Sequence, residues 1–339
     1  MDGRATVPIT DSDLASNADE DVLREAGITT VRLNATTEDD VIAALSQVPA
    51  DALIVQWAPI TAAVLDAAPR CRFISRLGIG IDMIDVEAAT RRGVAVANTP
   101  DYCVDEVAAH TLAMAMWLVR GLGRFDAAVR TGEWAAAAAY PAAARPADTV
   151  IGVVGLGRIG SQVAAQAKAL GFQVIGHDPY AAPGGGIPLT SLEDLLGSSH
   201  LVTLHAPLTA ETRHLIRAGT IALMRPGALL VNTCRGGLID EDAVAAALRA
   251  GRLAGAALDV FETEPLPPAS PLRALPNVLF SPHAAWYSQA SHFALPVRAA
   301  QQVVDFLAGV PVPSIINPDY LEHAAERGST VLPGRAGSA

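Results

Sequence analysis

The sequence predicts an α/β protein of two domains, each built around a parallel β-sheet. Three observations support this prediction. The chain has 339 residues, which is too long for one ordinary hydrophobic core. Short β-type runs alternate with amphipathic segments along most of it, and no repeat of solenoid type is present. The composition, 51% hydrophobic and 17% charged, is that of a globular protein.

The first alternating series occupies the N-terminal part of the chain. Strand, helix and strand in succession predict βαβ units, whose strands run parallel. The five β-type runs are ATVPI, ITTVRL, DALIVQW, RFISRL and GVAVAN.

A long apolar segment follows, from about residue 104 to 130, and is predicted to form one helix with its first half buried. The alanine-rich stretch after Trp134 contains two prolines and predicts a loop. The segment after residue 287 predicts another helix, with Pro296 as a position where it could kink. The small and polar residues 321–339 predict a disordered tail.

The second series opens with VVGLGRIG, in which Gly155, Gly157 and Gly160 form the pattern G-x-G-x-x-G between a predicted strand and a predicted helix. In a dinucleotide-binding turn the first glycine permits the tight turn, the second admits the pyrophosphate and the third allows close packing of helix on strand. The alternative is an ordinary βαβ turn without a ligand. The strands of this series are TVIGVVG, FQVIGHD, LVTLHA, ALLVNTC, LAGAALDV and NVLFSP.

Asp178 ends the strand that follows the glycine-rich turn. A carboxylate there accepts hydrogen bonds from both ribose hydroxyls of NAD. No arginine follows in HDPYAAPGGG, so the 2'-phosphate of NADP would meet repulsion and no partner. The sequence therefore favours NAD over NADP as the cofactor.

The remaining strands of this series also end in polar side chains. Ligands of open parallel sheets bind outside the carboxyl ends of the strands, so these side chains are predicted to share one edge with the dinucleotide. They are His205, Arg235, Asp259 and His283, with Glu264 a few residues after Asp259.

Arg235, Glu264 and His283 together suit hydride transfer to a 2-oxo acid. A carbonyl that accepts hydride needs a proton donor, and histidine is suited to this because its pKa lies near neutrality. A neighbouring carboxylate favours the imidazolium, and an arginine grips a substrate carboxylate. The alternatives are a solvated loop position for Glu264, a core position for His283 and a packing role for His205. The other histidines, including His110, are assigned to structural or surface roles.

Charge and cysteine content exclude several classes of protein. The net charge of −11 disfavours binding to nucleic acid and to anionic membranes. Three widely spaced cysteines predict neither a metal site nor a disulfide framework, and fit the cytoplasm. The N-terminus lacks the pattern of a signal peptide, and no segment has the length of a membrane span.

Over about residues 50–317 the sequence resembles the D-isomer-specific 2-hydroxyacid dehydrogenases. The motifs that carry the resemblance are GIGIDMID, VVGLGRIG, HAPLTAETRHLI, NTCRGGLIDEDAV, AALDVFETEP and SPHAAW. The resemblance implies that Arg235, Glu264 and His283 are catalytic and that Asp259 contacts the nicotinamide amide. It implies substrate contacts at Ile79 and Gly80, and further cofactor contacts at Leu156, Arg158, Ile159, Ala206, Pro207, Thr212, Thr233, Cys234 and Ala285.

The motifs HAAWYS and RLGIGID are most similar to the branch of C-terminal-binding proteins, which are NAD(H)-responsive corepressors. This similarity implies that Trp286 projects into the substrate pocket, where it would favour longer substrates, and that Arg76 lies near the substrate loop. A core position for Trp286 is the alternative. Met83 stands where many relatives have Asn, which is expected to alter the packing of the substrate loop. Cys103 is either close to the nicotinamide or a buried small residue, and the second is favoured.

The resemblance further implies two Rossmann-like domains with the active site in a cleft between them. A flavodoxin-like substrate domain is expected at residues 1–100 and 288–320, and the NAD domain at 101–287. A homodimer is expected through the NAD domains, with the helix from 104 and the alanine-rich loop as candidate contacts. The expected activity is NADH-dependent reduction of 2-oxo acids, without a metal. The alternatives are an NAD(H)-sensing regulator and phosphite oxidation; a formate-oxidising enzyme is disfavoured because it carries glutamine at the position of Glu264.

Overall fold

In a computed structural model, residues 4–14, 16–135, 144–181 and 186–325 are described. The chain forms two compact units, which we call unit 1 (Met1–Tyr102 with Ser288–Ala339) and unit 2 (Cys103–Tyr287). Each unit contains one sheet, and every strand pair in both sheets is parallel. The prediction of an α/β fold with two parallel sheets is confirmed.

Every predicted β-type run forms a strand. Five of the eleven strands are buried along their whole length, as expected for strands of a parallel sheet covered by helices on both faces. The strands are β1 (Thr6–Ile9), β2 (Thr29–Arg32), β3 (Ala52–Val55), β4 (Phe73–Arg76), β5 (Ala95–Ala97), β6 (Val150–Val154), β7 (Gln173–His177), β8 (Leu201–Leu204), β9 (Ala228–Asn232), β10 (Leu253–Leu258) and β11 (Val278–Phe280).

The helices lie between the strands and often begin at a short polar residue. The side chains of Thr37, Asp85, Ser191 and Asp240, for example, each accept a hydrogen bond from a backbone amide in the first turn. The helices are α1 (Ala18–Glu25), α2 (Glu38–Leu45), α3 (Ala62–Ala67), α4 (Val86–Arg91), α5 (Val104–Arg120), α6 (Leu122–Arg130), α7 (Arg158–Ala169), α8 (Leu192–Ser198), α9 (Ala218–Leu223), α10 (Glu241–Arg249), α11 (Gln289–Leu307) and α12 (Tyr320–Ala324).

The prediction of one helix from 104 to 130 was wrong. Gly121 has φ +63° and ends α5 before α6 begins, because a left-handed glycine closes the last turn of a helix. The first half is buried as predicted. Its apolar face packs inside unit 2, so that face is not exposed for contact with a second subunit. Of the stretch after Trp134 that the sequence predicts to be a loop, residues 136–143 lie outside the described residues, and Pro146–Asp148 form a short 3-10 helix.

The C-terminal predictions were partly wrong. The predicted tail begins within α12, where Tyr320 is buried and residues up to Ala324 are helical. Residues 326–339 lie outside the described part of the chain. Pro296 lies inside α11, which runs as one helix over 19 residues. In the described ranges, no helix has both the length and the apolar character needed to cross a membrane.

Sheet order determines where a ligand can approach unit 2. The order is β7-β6-β8-β9-β10-β11. From β6 the chain first adds β7 on one side of that strand and then adds β8 to β11 on its other side. This reversal opens a crevice at the carboxyl ends of β6 and β8, the usual ligand position in such sheets. Unit 1 has the order β2-β1-β3-β4-β5 and the same kind of reversal between β1 and β3.

Candidate active site

The glycine-rich turn connects β6 to α7 at the crevice of unit 2. Gly155 has φ +90°, and a Cβ there would lie 2.6 Å from the backbone of His205. A Cβ on Gly160 would lie 1.9 Å from the carbonyl oxygen of Gly155, whereas a Cβ on Gly157 would meet nothing within 4 Å. Two glycines therefore allow close backbone packing, and the third borders open space at the start of α7. This arrangement fits a pyrophosphate.

Asp178 follows β7 and is hydrogen-bonded to the same turn. Its carboxylate accepts from the amide of Leu156 at 2.8 Å and from the amide of Tyr180 at 2.8 Å. The carboxylate therefore lies beside the glycine-rich turn, where a ribose would follow the pyrophosphate. No arginine from the described residues forms an ion pair with it.

The loops after β8 and β9 meet at the same edge. The Cys234 thiol donates to the carbonyl oxygen of Ala206 at 3.0 Å, and Thr212 donates to the carbonyl oxygen of Pro207 at 2.6 Å. Thr233 is buried, and its hydroxyl lies 2.7 Å from that of Thr111 on α5. These predicted cofactor residues thus form a connected wall along the crevice.

His205 lies directly beneath the glycine-rich turn. Its Nε2 is 3.0 Å from the hydroxyl of Thr203, and burial lowers its pKa to about 4. The ring is therefore neutral at physiological pH, while the backbone of His205 lies close to Gly155 and its Cβ close to Gly160. This environment suits an uncharged packing group beside a dinucleotide.

Replacing His205 with glutamine should make the protein more resistant to acid. The unfolded chain takes up a proton on His205 below its ordinary pKa of 6.5, whereas the folded chain resists it down to about 4. Native stability is therefore lost as the pH falls through this window, by up to about 3 kcal/mol. Urea titrations at neutral and acidic pH measure the effect. Between the neutral and the acidic pH, the variant should lose less unfolding free energy than the wild type. Equal losses would contradict the lowered pKa of His205.

Arg235 lies in a turn after β9 that packs against the loop after β10. A Cβ on Gly236 would lie 1.9 Å from the carbonyl carbon of Phe261, so only glycine permits this backbone contact. The Arg235 guanidinium donates to the carbonyl oxygen of Cys234 at 2.8 Å, and the side chain of Asn232 donates to the carbonyl oxygen of Arg235 at 2.8 Å. The two glycines after Arg235 thus bring its turn beside the loop that carries Glu264.

Glu264 and His283 are in direct contact. Glu264 Oε2 lies 2.7 Å from His283 Nδ1, and Glu264 Oε1 accepts from the amide of Phe261 at 2.9 Å. Burial by itself raises the pKa of Glu264, but the hydrogen bond and charge of His283 and the charge of Arg235 outweigh it and leave the pKa below its ordinary value. Glu264 is therefore an anion that holds the imidazole through its Nδ1.

Asp259 is fully buried and organises the turn that carries His283. Its carboxylate accepts hydrogen bonds from Ser281 Oγ, from the amide of Ala284 at 2.8 Å and from the amide of Ala285 at 2.9 Å. Its backbone carbonyl oxygen accepts a fourth, from the amide of His283 at 2.7 Å. His283 itself has φ +54°, a left-handed conformation that is uncommon outside glycine. The four hydrogen bonds explain why this conformation persists.

In unit 1, Arg76 ends β4 and is buried. Its guanidinium lies 5.1 Å from the ring of Trp57, and a Cβ on Gly78 would come within 1.5 Å of Arg76 Nη1. The loop continues through Ile79, whose carbonyl oxygen accepts from Asn98 at 2.7 Å, to Gly80. Arg76 therefore lies directly under the predicted substrate loop, as expected.

Three further expectations concern single side chains. Trp286 is partly exposed and packs edge-on against Tyr287 at 5.7 Å, so it does not have the core position considered as its alternative. Cys103 is buried, as favoured from the sequence. Met83 packs against the hydrophobic core of unit 1, and its carbonyl oxygen accepts from the amide of Ile60 at 2.8 Å.

Two histidines assigned to structural or surface roles lie beside this site. His110 Nε2 is 2.9 Å from Ser281 Oγ, and His214 Nε2 is 2.8 Å from Glu262 Oε1. His110 shares a face of α5 with the buried residues Val107 and Met114. A histidine on an apolar helix face was the signal available in the sequence.

Comparison with known proteins places this chain among 2-hydroxyacid dehydrogenases. Residues 112–285 match the model of the family described as D-isomer specific 2-hydroxyacid dehydrogenase, NAD binding domain. The chain is 41% identical over 281 residues to a D-3-phosphoglycerate dehydrogenase of Mycobacterium leprae, covering 81% of this chain and 53% of the relative. It is 39% identical over 268 residues to a glyoxylate reductase of Aeropyrum pernix, covering 76% of this chain and 80% of the relative.

A solved structure shows the same fold. An NADPH-dependent glyoxylate/hydroxypyruvate reductase from Sinorhizobium meliloti, in complex with NADP and malonate, superposes with a TM-score of 0.81 at 27% identity, over 94% of this chain and 98% of that chain. The chain spans about half the length of the phosphoglycerate dehydrogenase that it matches. The family match, the relatives and the two parallel sheets together show that this chain belongs to the D-isomer-specific 2-hydroxyacid dehydrogenase family.

Proposed function

We propose that this protein is an NAD-dependent D-2-hydroxyacid dehydrogenase that reduces 2-oxo acids reversibly. One observation carries the proposal: the 2.7 Å contact between Glu264 and His283, with the charge of Arg235 acting on the same carboxylate, at the carboxyl edge of the sheet that holds the glycine-rich turn. A cation, a proton donor and a dinucleotide turn on one sheet edge are the parts that this reaction needs.

The roles of the three residues follow from their chemistry. Bound NADH would supply the hydride that the keto carbon of the substrate accepts. Arg235 holds the substrate carboxylate and polarises the keto oxygen, because its guanidinium forms paired hydrogen bonds. His283 donates the proton that this oxygen needs, and Glu264 stabilises the imidazolium before transfer. In the reverse direction His283 accepts the proton.

We propose NAD rather than NADP as the cofactor. The glycine-rich turn, Asp178 and the wall of residues after β8 and β9 would hold it, with Asp178 on the ribose hydroxyls. Asp259 Oδ2 accepts one hydrogen bond, from Ala285, within the described chain, which leaves a lone pair for the nicotinamide amide. The NADP complex of the Sinorhizobium meliloti enzyme shows that this fold also accepts the phosphorylated cofactor.

For the substrate we propose a 2-oxo acid with a side chain longer than that of glyoxylate or pyruvate. Arg76, Ile79 and Gly80 are the residues of unit 1 that we assign to its recognition, and Trp286 supplies an apolar wall in unit 2. The glyoxylate reductase and phosphoglycerate dehydrogenase relatives differ in substrate, so the family alone does not select one.

We also propose a cytoplasmic homodimer that assembles through unit 2. The support is α6, which contains no buried residue and exposes Leu122 and Val129 to 51% and 56%. Exposed apolar side chains on one helix are typical of a subunit contact.

Consumption of NADH and of NADPH against a panel of 2-oxo acids graded by size tests the function. We expect turnover with NADH, at least about 100-fold lower kcat/KM with NADPH because Asp178 repels a 2'-phosphate, and a preference for branched or aromatic acids. Tight NADH binding without turnover of any acid would instead support an NAD(H)-sensing regulator of the type of C-terminal-binding proteins. Reduction of NAD by phosphite alone would support phosphite oxidation.

A further inference from the structure

Three side chains in unit 2 form a continuous chain of hydrogen bonds outside the catalytic set. His110 lies on α5, and its Nε2 is 2.9 Å from Ser281 Oγ. Ser281 Oγ in turn contacts Asp259 Oδ1, and His110 Nε2 lies 3.9 Å from the same carboxylate oxygen. The chain therefore runs from an imidazole whose side chain is 30% exposed to a carboxylate that is 1% exposed.

The direction of the hydrogen bonds follows from the available protons. An ionised carboxylate only accepts, so the single hydroxyl proton of Ser281 is donated to Asp259. Ser281 Oγ must then accept from His110, which requires a proton on His110 Nε2. His110 Nε2 also lies within ion-pair distance of Asp259, 3.9 Å from Oδ1. The geometry thus selects one tautomer of the neutral ring.

Asp259 transmits this contact to His283. The residues that it binds, Ser281, Ala284 and Ala285, flank His283 in the chain, and its backbone carbonyl accepts from the amide of His283. If the Ser281 hydroxyl turned away, Asp259 would lose one of its three carboxylate donors, and a buried carboxylate is sensitive to such a loss. The left-handed turn at His283 depends on that carboxylate.

We propose that His110 is a positioning residue for the proton-transfer step. By donating from Nε2 it fixes the Ser281 hydroxyl toward Asp259, and so fixes the turn that presents His283 to the substrate. This proposal rests on the proposed function, because it assigns His110 to the same reaction. The alternative is that the contact merely anchors α5 to the sheet.

Two substitutions at His110 separate these roles. Glutamine places an amide donor near the position of Nε2, whereas leucine fills similar space without a donor. We expect His110→Leu to lower kcat about tenfold, the effect of one lost hydrogen bond, with KM and the dissociation constant of NADH changed less than about twofold. His110→Gln should remain within about threefold of wild-type kcat. His323→Leu, a histidine removal in unit 1, is the matched control and should match the wild type.

A double-mutant cycle with Ser281→Ala tests whether the residues act as one chain. Ser281→Ala should lower kcat about as much as His110→Leu, and the double variant should be no slower than either single variant. Additive losses would overturn the proposal. The proposal would also be overturned if His110→Leu and His110→Gln lost kcat to the same extent and melting temperature to the same extent. A residue that only anchors α5 predicts that result.

A measurement that needs no turnover separates failure of this proposal from failure of the proposed function. In protein labelled with ¹⁵N at histidine, the neutral ring of His110 should carry its proton on Nε2, and Ser281→Ala should shift that resonance. A ring protonated on Nδ1 alone would overturn the proposal. If the protonated Nε2 is found but the wild type reduces no 2-oxo acid, the proposed function fails while the hydrogen-bond chain stands, and the assignment of His110 to proton transfer falls with that function.

Discussion

Arg235→Ala is expected to lower kcat about 1,000-fold or more while NADH binding changes little, because an electrostatic group that acts on the reacting oxygen contributes mainly in the transition state. The charge of the guanidinium acts on Glu264, and the turn that carries Arg235 is held by Asn232 and by the packing of Gly236. Steady-state kinetics with the best acid of the panel and fluorescence titration of NADH provide the two readouts.

Arg235→Lys is the matched control. Lysine keeps the charge but loses the paired hydrogen bonds, so its kcat should fall between those of the alanine variant and the wild type. Circular dichroism and the melting temperature should show that both variants are folded. If NADH affinity fell together with turnover in Arg235→Ala, the side chain would be a cofactor residue, and the role proposed for it on the substrate would be wrong.

His283→Asn is expected to lower kcat about 1,000-fold, since it removes the proton donor. Asparagine is the suitable replacement because it tolerates the left-handed φ of +54° at this position. Glu264→Gln should lower kcat about 100-fold, because the imidazolium loses the carboxylate at 2.7 Å. The double variant should be little slower than His283→Asn, since the two residues act as one unit.

Glu262→Gln is the matched control for Glu264→Gln. It lies two positions earlier in the same loop, and its carboxylate pairs with His214 instead of His283. Its kcat should stay within about threefold of the wild type, as for a surface ion pair. An effect of Glu262→Gln as large as that of Glu264→Gln would show that the loop responds to any loss of charge, and would contradict a specific role for Glu264.

Much of the site could be predicted from the sequence because its residues follow strands. A run such as ALLVN is buried at every position, so the first charged residue after it marks the carboxyl edge. Asp178, His205, Arg235, Asp259 and His283 all lie one to three residues after the strands that precede them. The glycine pattern adds the place of the dinucleotide, since a Cβ on Gly160 would meet the carbonyl oxygen of Gly155 within the same short turn.

Other features of the site depend on contacts between residues that are far apart in the sequence. His110 and Ser281 are separated by 171 positions, and nothing in either segment indicates that they meet. The role of Asp259 as the organiser of the 281–285 turn likewise depends on how two loops pack. The end of α5 at Gly121 was missed because the helical pattern continues on both sides, and a single glycine is tolerated in many helices.

The sequence by itself determined the strands, the glycine-rich turn and the candidates for the acid, the carboxylate and the cation, because local periodicity and residue chemistry are properties of short segments. Tertiary structure alone decided which partner each of these side chains has: Glu264 for His283, Phe261 for Gly236, and Ser281 with His110 for Asp259. Partners are chosen by the packing of loops that are distant in the chain, and that packing is set by the order of strands in the sheet.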